Sequence, residues 1–110
     1  PARSEMCIRE SSKGWLENAY NLRIINNSEN EQVMTATVKG FEEIALTGLP
    51  EGGVKIAPRQ TLTIPVQVST IPEYADKGSH PIEFTFTYRE TGKADGKPTI
   101  LEEEATFIGE

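Results

Sequence analysis

Apolar and polar residues alternate along most of the chain, with β-branched and aromatic side chains on the apolar phase. In the clearest run, residues 62–68, four aliphatic residues alternate with threonine, proline and glutamine. Since successive side chains of a strand point to opposite faces, this pattern predicts half-buried β-strands. Four strands are predicted in this way, over residues 20–24, 34–38, 62–68 and 82–88.

Weaker alternation predicts shorter strands in the gaps. They lie around Met6 and Ile8 and over residues 43–47, 54–57 and 97–108. Seven or eight short antiparallel strands with turns between them are typical of an all-β sandwich of the immunoglobulin or fibronectin type III kind. A closed barrel is the alternative fold, because periodicity alone does not separate the two. We expect one domain over residues 1–110, with residues 1–5 as a flexible lead-in.

Two features predict departures from regular strands. Pro65 has no N–H to donate, so its strand is expected to lie at a sheet edge or to carry a bulge. In the last run Ile100 lies on one phase while Leu101 and Phe107 lie on the other. A bulge within residues 101–103 would bring both phases to one face, and we predict it there.

Two connections also have recognisable local signals. Residues 91–97 have the composition of a hairpin loop, in which Asp95-Gly96 offers a residue with positive φ. Residues 71–76 contain Pro72 near their start and can form a single helical turn. No other segment keeps a helical period, so the domain is expected to contain almost no helix.

The composition excludes several classes of function. Eleven Lys and Arg residues against 17 Asp and Glu give a net charge of −6 and a pI near 4.8. Nucleic-acid-binding domains usually show clustered basic residues and a pI above about 9. The hydrophobic fraction of 36% is too high for a disordered acidic segment. No apolar run approaches the roughly 18 residues of a membrane span, so we expect the isolated chain to be soluble and to bind no nucleic acid.

Few residues are suited to catalysis. The chain has one cysteine and one histidine, so it contains no cysteine pair and no Cys-rich metal site. Nothing local places Cys7 beside His80 as a nucleophile and its base. The glutamates 102–104 alternate across a strand and lack calcium-loop spacing, so they are interpreted as a charged strand edge. We predict no enzymatic activity, no catalytic residue, no small-molecule substrate and no cofactor in this domain.

Two alternative functions depend on a few side chains. Met6, Cys7 and His80 are candidate metal ligands, because sulfur and imidazole ligands suit copper. Neighbouring strand residues point to opposite faces, so Met6 and Cys7 would chelate one copper ion only on an irregular backbone. A copper-handling module is therefore one alternative. A carbohydrate-binding sandwich of a secreted protein is the other, with Trp15 and Tyr74 as candidate aromatic contacts.

One segment carries a more specific signal. Residues 14–27 read GWLENAYNLRIINN and resemble the pattern G-x-[IL]-x-N-x-Y-x-L-[KR]-I-x-N-[KN]. This pattern opens the C-terminal immunoglobulin-like domain of the FixG/CcoG family, the cytochrome c oxidase accessory proteins. Residues 3–10 are similar to the family's RDRNxLYRE, and residues 38–41 are similar to its V-x-G-L step. The resemblance covers nearly the whole chain.

The resemblance gives structural roles to the motif residues, which are Gly14, Asn18, Tyr20, Leu22, Ile24 and Asn26. Tyr20, Leu22 and Ile24 are expected to fill the core. Asn18 and Asn26 are expected to hydrogen-bond backbone groups at the two ends of their strand.

The resemblance also implies a biological setting. The chain, which begins at Pro1, would be excised from a bacterial inner-membrane polyferredoxin with two four-iron four-sulfur clusters. The parent protein would assist assembly of the cbb3-type oxidase by reducing copper, with this domain on the periplasmic side. The cluster-binding cysteines are not in this sequence. We therefore expect a non-catalytic interaction domain whose partners are oxidase subunits or copper-delivery proteins.

Overall fold

The structure is a computed structural model that describes residues 6–10 through their backbone and residues 14–92 and 96–109 in full. Within these residues the chain forms eight strands and one short 3-10 helix at Pro72–Tyr74. The strands are β1 Met6–Glu10, β2 Leu16–Ile25, β3 Gln32–Lys39, β4 Ile44–Thr47, β5 Val54–Ile56, β6 Thr61–Thr70, β7 Gly78–Glu90 and β8 Thr99–Gly109.

The strands form two four-stranded antiparallel sheets. The first sheet has the order β1-β2-β6-β4 and the second has the order β5-β3-β7-β8. The first sheet matches the ABED arrangement of immunoglobulin domains, while β3, β7 and β8 match CFG and β5 extends that sheet. The predicted sandwich is therefore confirmed, and the two separate sheets exclude a closed barrel.

Every second side chain of the central strands fills the space between the sheets. In β2 the inner positions from Leu16 to Ile24 are all buried, and in β7 those from Ile82 to Tyr88 are buried. The Tyr20 and Phe84 rings meet edge to face across this space, with their centroids 5.5 Å apart. Aromatic rings favour this geometry because the positive edge of one ring faces the negative face of the other.

The weakly predicted elements also form. The expected short strands are β1, β4, β5 and β8, and the predicted helical turn is the 3-10 helix at Pro72–Tyr74. At the end of β7, Gly92 has a φ of +82°, which a residue without a Cβ adopts at little cost. Asp95 of the predicted hairpin turn lies outside the described residues.

Pro65 lies in an inner strand, so the prediction of a sheet edge or a bulge is wrong. β6 lies between β2 and β4, and its register with β2 continues unbroken through Asn21 opposite Pro65. Its pairing with β4 ends where Thr47 meets Gln67. The Pro65 carbonyl oxygen lies only 2.7 Å from where a Cβ on Gly48 would stand. Because the N and C=O of a strand residue point the same way, the missing donor faces the gap beyond β4.

The bulge predicted within residues 101–103 does not occur. β7 and β8 pair in one continuous register along the whole of β8. Leu101 lies on the inner phase and Ile100 on the outer phase, and they are 42% and 58% exposed. The sequence alternation changes phase because Ile100 is simply left in solvent, not because the strand bends.

Two side chains of β2 reach across the sandwich to the backbone of β8. The Asn18 Nδ2 donates to the Ile108 carbonyl at 3.1 Å, and the Asn18 Oδ1 accepts from the Ile108 N–H at 2.8 Å. The Tyr20 hydroxyl donates to the Thr106 carbonyl at 2.7 Å. Asn18 and Tyr20 are both buried, so these bonds replace water that the β8 peptides would otherwise need. We call these contacts the cross-sheet clamp.

Removing the amide of the clamp should destabilise the fold. Asn18→Leu preserves the approximate volume but leaves the Ile108 N–H and C=O without these partners. We expect the free energy of unfolding to fall by about 2–4 kcal/mol, measured by urea denaturation. The matched variant Asn21→Leu changes an exposed position of the same strand and should alter it by less than about 0.5 kcal/mol. Equal losses in the two variants would contradict a specific role for the clamp.

The clamp also predicts a pH dependence. Burial raises the pKa of the Tyr20 phenol above its usual value near 10. The unfolded chain loses this proton near pH 10 while the folded chain keeps it, so stability falls as the pH rises above about 10. For each pH unit above about 10, Tyr20→Phe should lose about 1.4 kcal/mol less than the unchanged protein. Urea denaturation at each pH provides the measurement, and parallel stability curves would refute the assignment.

Candidate interaction surface

The candidate copper ligands lie in different sheets. Met6 and Cys7 belong to β1, and their side chains lie outside the described part of the chain. His80 belongs to β7, and its Nε2 lies 2.6 Å from the carbonyl oxygen of Asp76. A carbonyl oxygen can only accept, so Nε2 carries the proton in this contact and Nδ1 is the ring nitrogen that keeps a free lone pair.

The described residues also lack a group of ligands for a metal. Among residues 14–92 and 96–109, no three His, Cys, Asp or Glu side chains come together in a way that could hold an ion. A four-iron cluster needs four thiolates, and the sequence contains a single cysteine. The ligand chemistry of this chain therefore does not fit an iron–sulfur cluster.

The two aromatic residues proposed for sugar binding are only partly accessible. Trp15 is half-buried directly before β2, and Tyr74 is half-buried in the 3-10 helix. The Tyr74 hydroxyl donates to the Glu42 carboxylate at 3.3 Å. The negative charge of Glu42 raises the pKa of Tyr74, since it disfavours a phenolate beside it. Neither ring offers the fully open face on which a sugar would stack.

Asn26 organises the end of the sandwich opposite the clamp. It is buried, and its Nδ2 contacts the carbonyls of Asn30, Ile56 and Ala57 at 2.9, 3.0 and 3.1 Å. Its Oδ1 accepts from the Ser28 N–H at 2.9 Å. One amide thus ties the β2–β3 turn to the end of β5, which holds the strands of the two sheets together.

The remaining motif residues have simpler positions. Leu22 and Ile24 are buried in the core with 1% and 0% exposure. Gly14 has a φ of +77° just before Trp15, a conformation that favours glycine where the chain turns into β2. The motif residues therefore position backbone and core in this structure, and the accessible chemistry lies elsewhere.

The accessible chemistry is concentrated on the outer face of the second sheet. Register places Lys39, Glu83 and Glu104 in one row across β3, β7 and β8. The next rows are Thr37, Thr85 and Glu102, followed by Thr35, Thr87 and Ile100. We define the β8 surface as the outer-face residues Pro81 and Glu83 of β7 with Ile100, Glu102 and Glu104 of β8. This surface is acidic, Thr85 and Thr87 lie beside it on β7, and it ends at the apolar Ile100.

One ion pair lies in the first of these rows. The Lys39 ammonium is 3.0 Å from the Glu83 carboxylate. This hydrogen bond holds the pKa of Glu83 below its usual value and raises the pKa of Lys39 above its own. Glu102 and Glu104 follow on the neighbouring strand and are exposed, so the surface keeps a net negative charge.

Two shallow depressions adjoin the β8 surface. The larger holds about 440 Å³ and is lined by Ser79, His80, Pro81, Glu104, Ala105 and Thr106. The smaller holds about 290 Å³ and is lined by Lys39, Gly40, Pro81, Ile82, Glu83 and Glu104. Both are bordered by Pro81 and Glu104, so a carboxylate stands between two concave areas. Such hollows suit the side chains of a partner better than an enclosed small molecule.

The edge of β8 is the other accessible element. β8 is the last strand of its sheet, so no described strand pairs with its outer side. The cross-sheet clamp covers that side at Thr106 and Ile108. Backbone groups alternate along a strand, so the peptides of residues 100, 102 and 104 point to the same side, beyond the clamp. The glutamates of residues 102–104 predict a charged edge here, whereas the part that stays open depends on the clamp, which forms only in the folded chain.

The strand order and the two-layer core define an immunoglobulin-like β-sandwich domain. Residues 3–110 match the family described as "IG-like fold at C-terminal of FixG, putative oxidoreductase". The chain belongs to this FixG C-terminal domain family, as the sequence motif predicted. Among the described residues, no helix is long and apolar enough to cross a membrane.

Two solved structures are similar to this chain. A FixG-related protein from Vibrio parahaemolyticus superposes with a TM-score of 0.70 at 21% identity, covering 99% of this chain and 96% of that one. The GAE domain of GGA2p from Saccharomyces cerevisiae gives a TM-score of 0.47 at 13% identity, with 97% and 88% covered. No curated protein sequence matches the chain.

The ion pair of the β8 surface predicts a measurable titration. Lys39→Met removes the hydrogen bond to Glu83, so the pKa of Glu83 should rise toward its usual value of about 4.3. Carboxyl-carbon NMR titration of Glu83 measures this shift. Lys55→Met is the matched control, because Lys55 is an exposed lysine on β5 at the other end of β3. A Glu83 pKa that moves equally in both variants would show that the ion pair is not its cause.

Proposed function

We propose that this chain is a non-catalytic, periplasmic interaction domain of a FixG-type membrane iron–sulfur protein. The observation that carries the proposal is the family match over residues 3–110, which assigns the chain to the C-terminal domain of FixG. The β8 surface and the open edge of β8 supply the means of interaction, since edges and faces of sheets are common docking elements.

The non-catalytic role is supported by the positions of the reactive side chains. A general base must lie within hydrogen-bond reach of the group that it deprotonates. His80 uses its Nε2 toward the Asp76 carbonyl, and Cys7 lies in the other sheet. Glu102 and Glu104 of the β8 surface lie on an open sheet face and not in an enclosed cleft.

The parent protein provides the redox chemistry in this proposal. Its two four-iron four-sulfur clusters are held outside this chain, which has one cysteine. The parent reduces copper for the cbb3-type oxidase, and this domain binds oxidase subunits or copper-delivery proteins on the periplasmic side. A rigid sandwich is suited to this task because its core holds the residues of the binding surface in fixed positions relative to one another.

Membranes that contain the full parent protein provide the test. The intact parent and a version that lacks residues 3–110 are crosslinked, captured and compared by quantitative mass spectrometry. We expect oxidase subunits or copper-delivery proteins to be enriched only with the intact parent, while the iron–sulfur content stays unchanged because the chain lacks a ligand set. Spectroscopic measurement of the clusters is the control. An identical set of captured proteins in the two samples would contradict an interaction role.

A further inference from the structure

We propose that the open edge of β8, at residues 100–104, binds an extended basic segment of a partner protein by β-strand addition. The inference rests on the proposed function and specifies the chemical class of the partner. An added strand hydrogen-bonds the open peptides, while its side chains meet those of the outer face.

The backbone of the edge is suited to such a strand. Asn18 and Tyr20 occupy the outer side of β8 at Ile108 and Thr106, where they substitute for a neighbouring strand. By alternation, the peptides of residues 100, 102 and 104 continue the same row of donors and acceptors. The register of β8 with β7 is continuous over these residues, so no bulge interrupts the row. Three successive pairing positions are therefore available to a partner strand.

The side chains at this edge indicate a partner more than a protected boundary. Ile100 and Leu101 are the exposed large hydrophobic residues of the described chain, at 58% and 42%, and they are adjacent on this strand. Each sheet face of β8 therefore ends in one exposed apolar side chain, Ile100 on the outer face and Leu101 on the inner face, and an added strand would cover part of both. The apolar pair marks the end of the edge that lies farthest from the clamp.

Charge selects the kind of strand that can bind. Glu102 and Glu104 stand on the outer face at the open positions, and Glu104 borders both depressions beside the edge. Opposite charges that face each other across two strands stabilise the pair, and like charges destabilise it. The net charge of −6 adds long-range attraction for a basic segment.

The same charges disfavour the symmetric pairing of this edge with a second copy of the chain. Two β8 edges pairing antiparallel about their centres would place Glu102 opposite Glu102, with Glu104 opposite Ile100. This arrangement sets like charges face to face in an otherwise favourable geometry. The acidic residues therefore oppose this symmetric pairing and favour a basic strand at the edge.

The geometry predicts a sequence pattern in the partner. An antiparallel strand passes Glu104, then Glu102, then Ile100, and every second residue faces them. The segment should thus read basic, any residue, basic, any residue, apolar. The long side chains of lysine or arginine can also lie in the depressions beside Glu104.

A synthetic peptide tests this pattern. The probe is Thr-Lys-Thr-Lys-Thr-Val-Thr, and the control peptide has glutamate in place of both lysines. In proton–nitrogen NMR spectra of the domain, we expect the probe to shift the amides of residues 100, 102 and 104 in a saturable manner, and the control peptide to leave them unchanged. A probe N-methylated at its second lysine keeps its charge but loses a backbone donor, so it should bind more weakly than one methylated at a neighbouring threonine.

Matched variants separate this edge from general electrostatics. The double variant Glu102→Gln with Glu104→Gln should weaken the probe by about fivefold or more, since two cross-strand charge pairs are lost. The control double variant Glu51→Gln with Glu73→Gln changes two exposed glutamates elsewhere and should leave the affinity nearly unchanged. Thermal unfolding of each variant verifies that the fold is intact. Ile100→Thr tests the apolar contact without changing the charge.

Each outcome has a defined meaning. Equal weakening in the two double variants, shifts that map to another face, or binding of the acidic control peptide would each overturn the proposal. Binding that requires removal of residues 1–5 would mean that the chain itself occupies the edge, and self-association at the edge would mean a second copy; either overturns it. A third outcome separates the two proposals. If the version that lacks residues 3–110 captures fewer proteins but the probe peptide does not bind at residues 100–104, the proposed function stands and only the assignment of this edge is overturned.

Discussion

The structure depends on two side chains, Asn18 and Tyr20, that hydrogen-bond the outer edge of β8 where a neighbouring strand would otherwise pair. A sandwich with an open last strand must satisfy the outer peptides of that strand or leave them to water. From the opposite sheet, Asn18 hydrogen-bonds the Ile108 backbone and Tyr20 hydrogen-bonds the Thr106 carbonyl. Both side chains are buried in the core. The same contacts hold the two sheets together and divide the edge of β8 into a covered part and an open part.

Much of the fold could be predicted because burial on one face imposes a period of two. The inner positions of β2 and β7 follow this period without exception, and both strands form as expected. The errors at Pro65 and at residues 101–103 have a common physical origin. The sequence predicts an edge or a bulge for Pro65 and a bulge near Leu101, whereas the tertiary structure places Pro65 beside a gap in an inner strand and leaves Ile100 in solvent.

The candidate surface was less predictable than the core. The three glutamates were interpreted correctly as a charged edge, but an edge is a property of strand order, which one sequence pattern does not contain. The row of Lys39, Glu83 and Glu104 joins three strands that are far apart in sequence, so only their register reveals it. The motif residues, by contrast, indicated the family directly, because their spacing is local.

Pro65 has an effect beyond its own strand. Because its backbone presents a carbonyl but no N–H to the neighbouring position, β4 would form one hydrogen bond fewer by continuing past Thr47. The chain turns away at Gly48 and crosses to the other layer, where it resumes as β5 beside β3. Pro65 thus favours the end of β4 at Thr47, a residue 18 positions earlier in the chain. The segment that follows can then join the second sheet as β5.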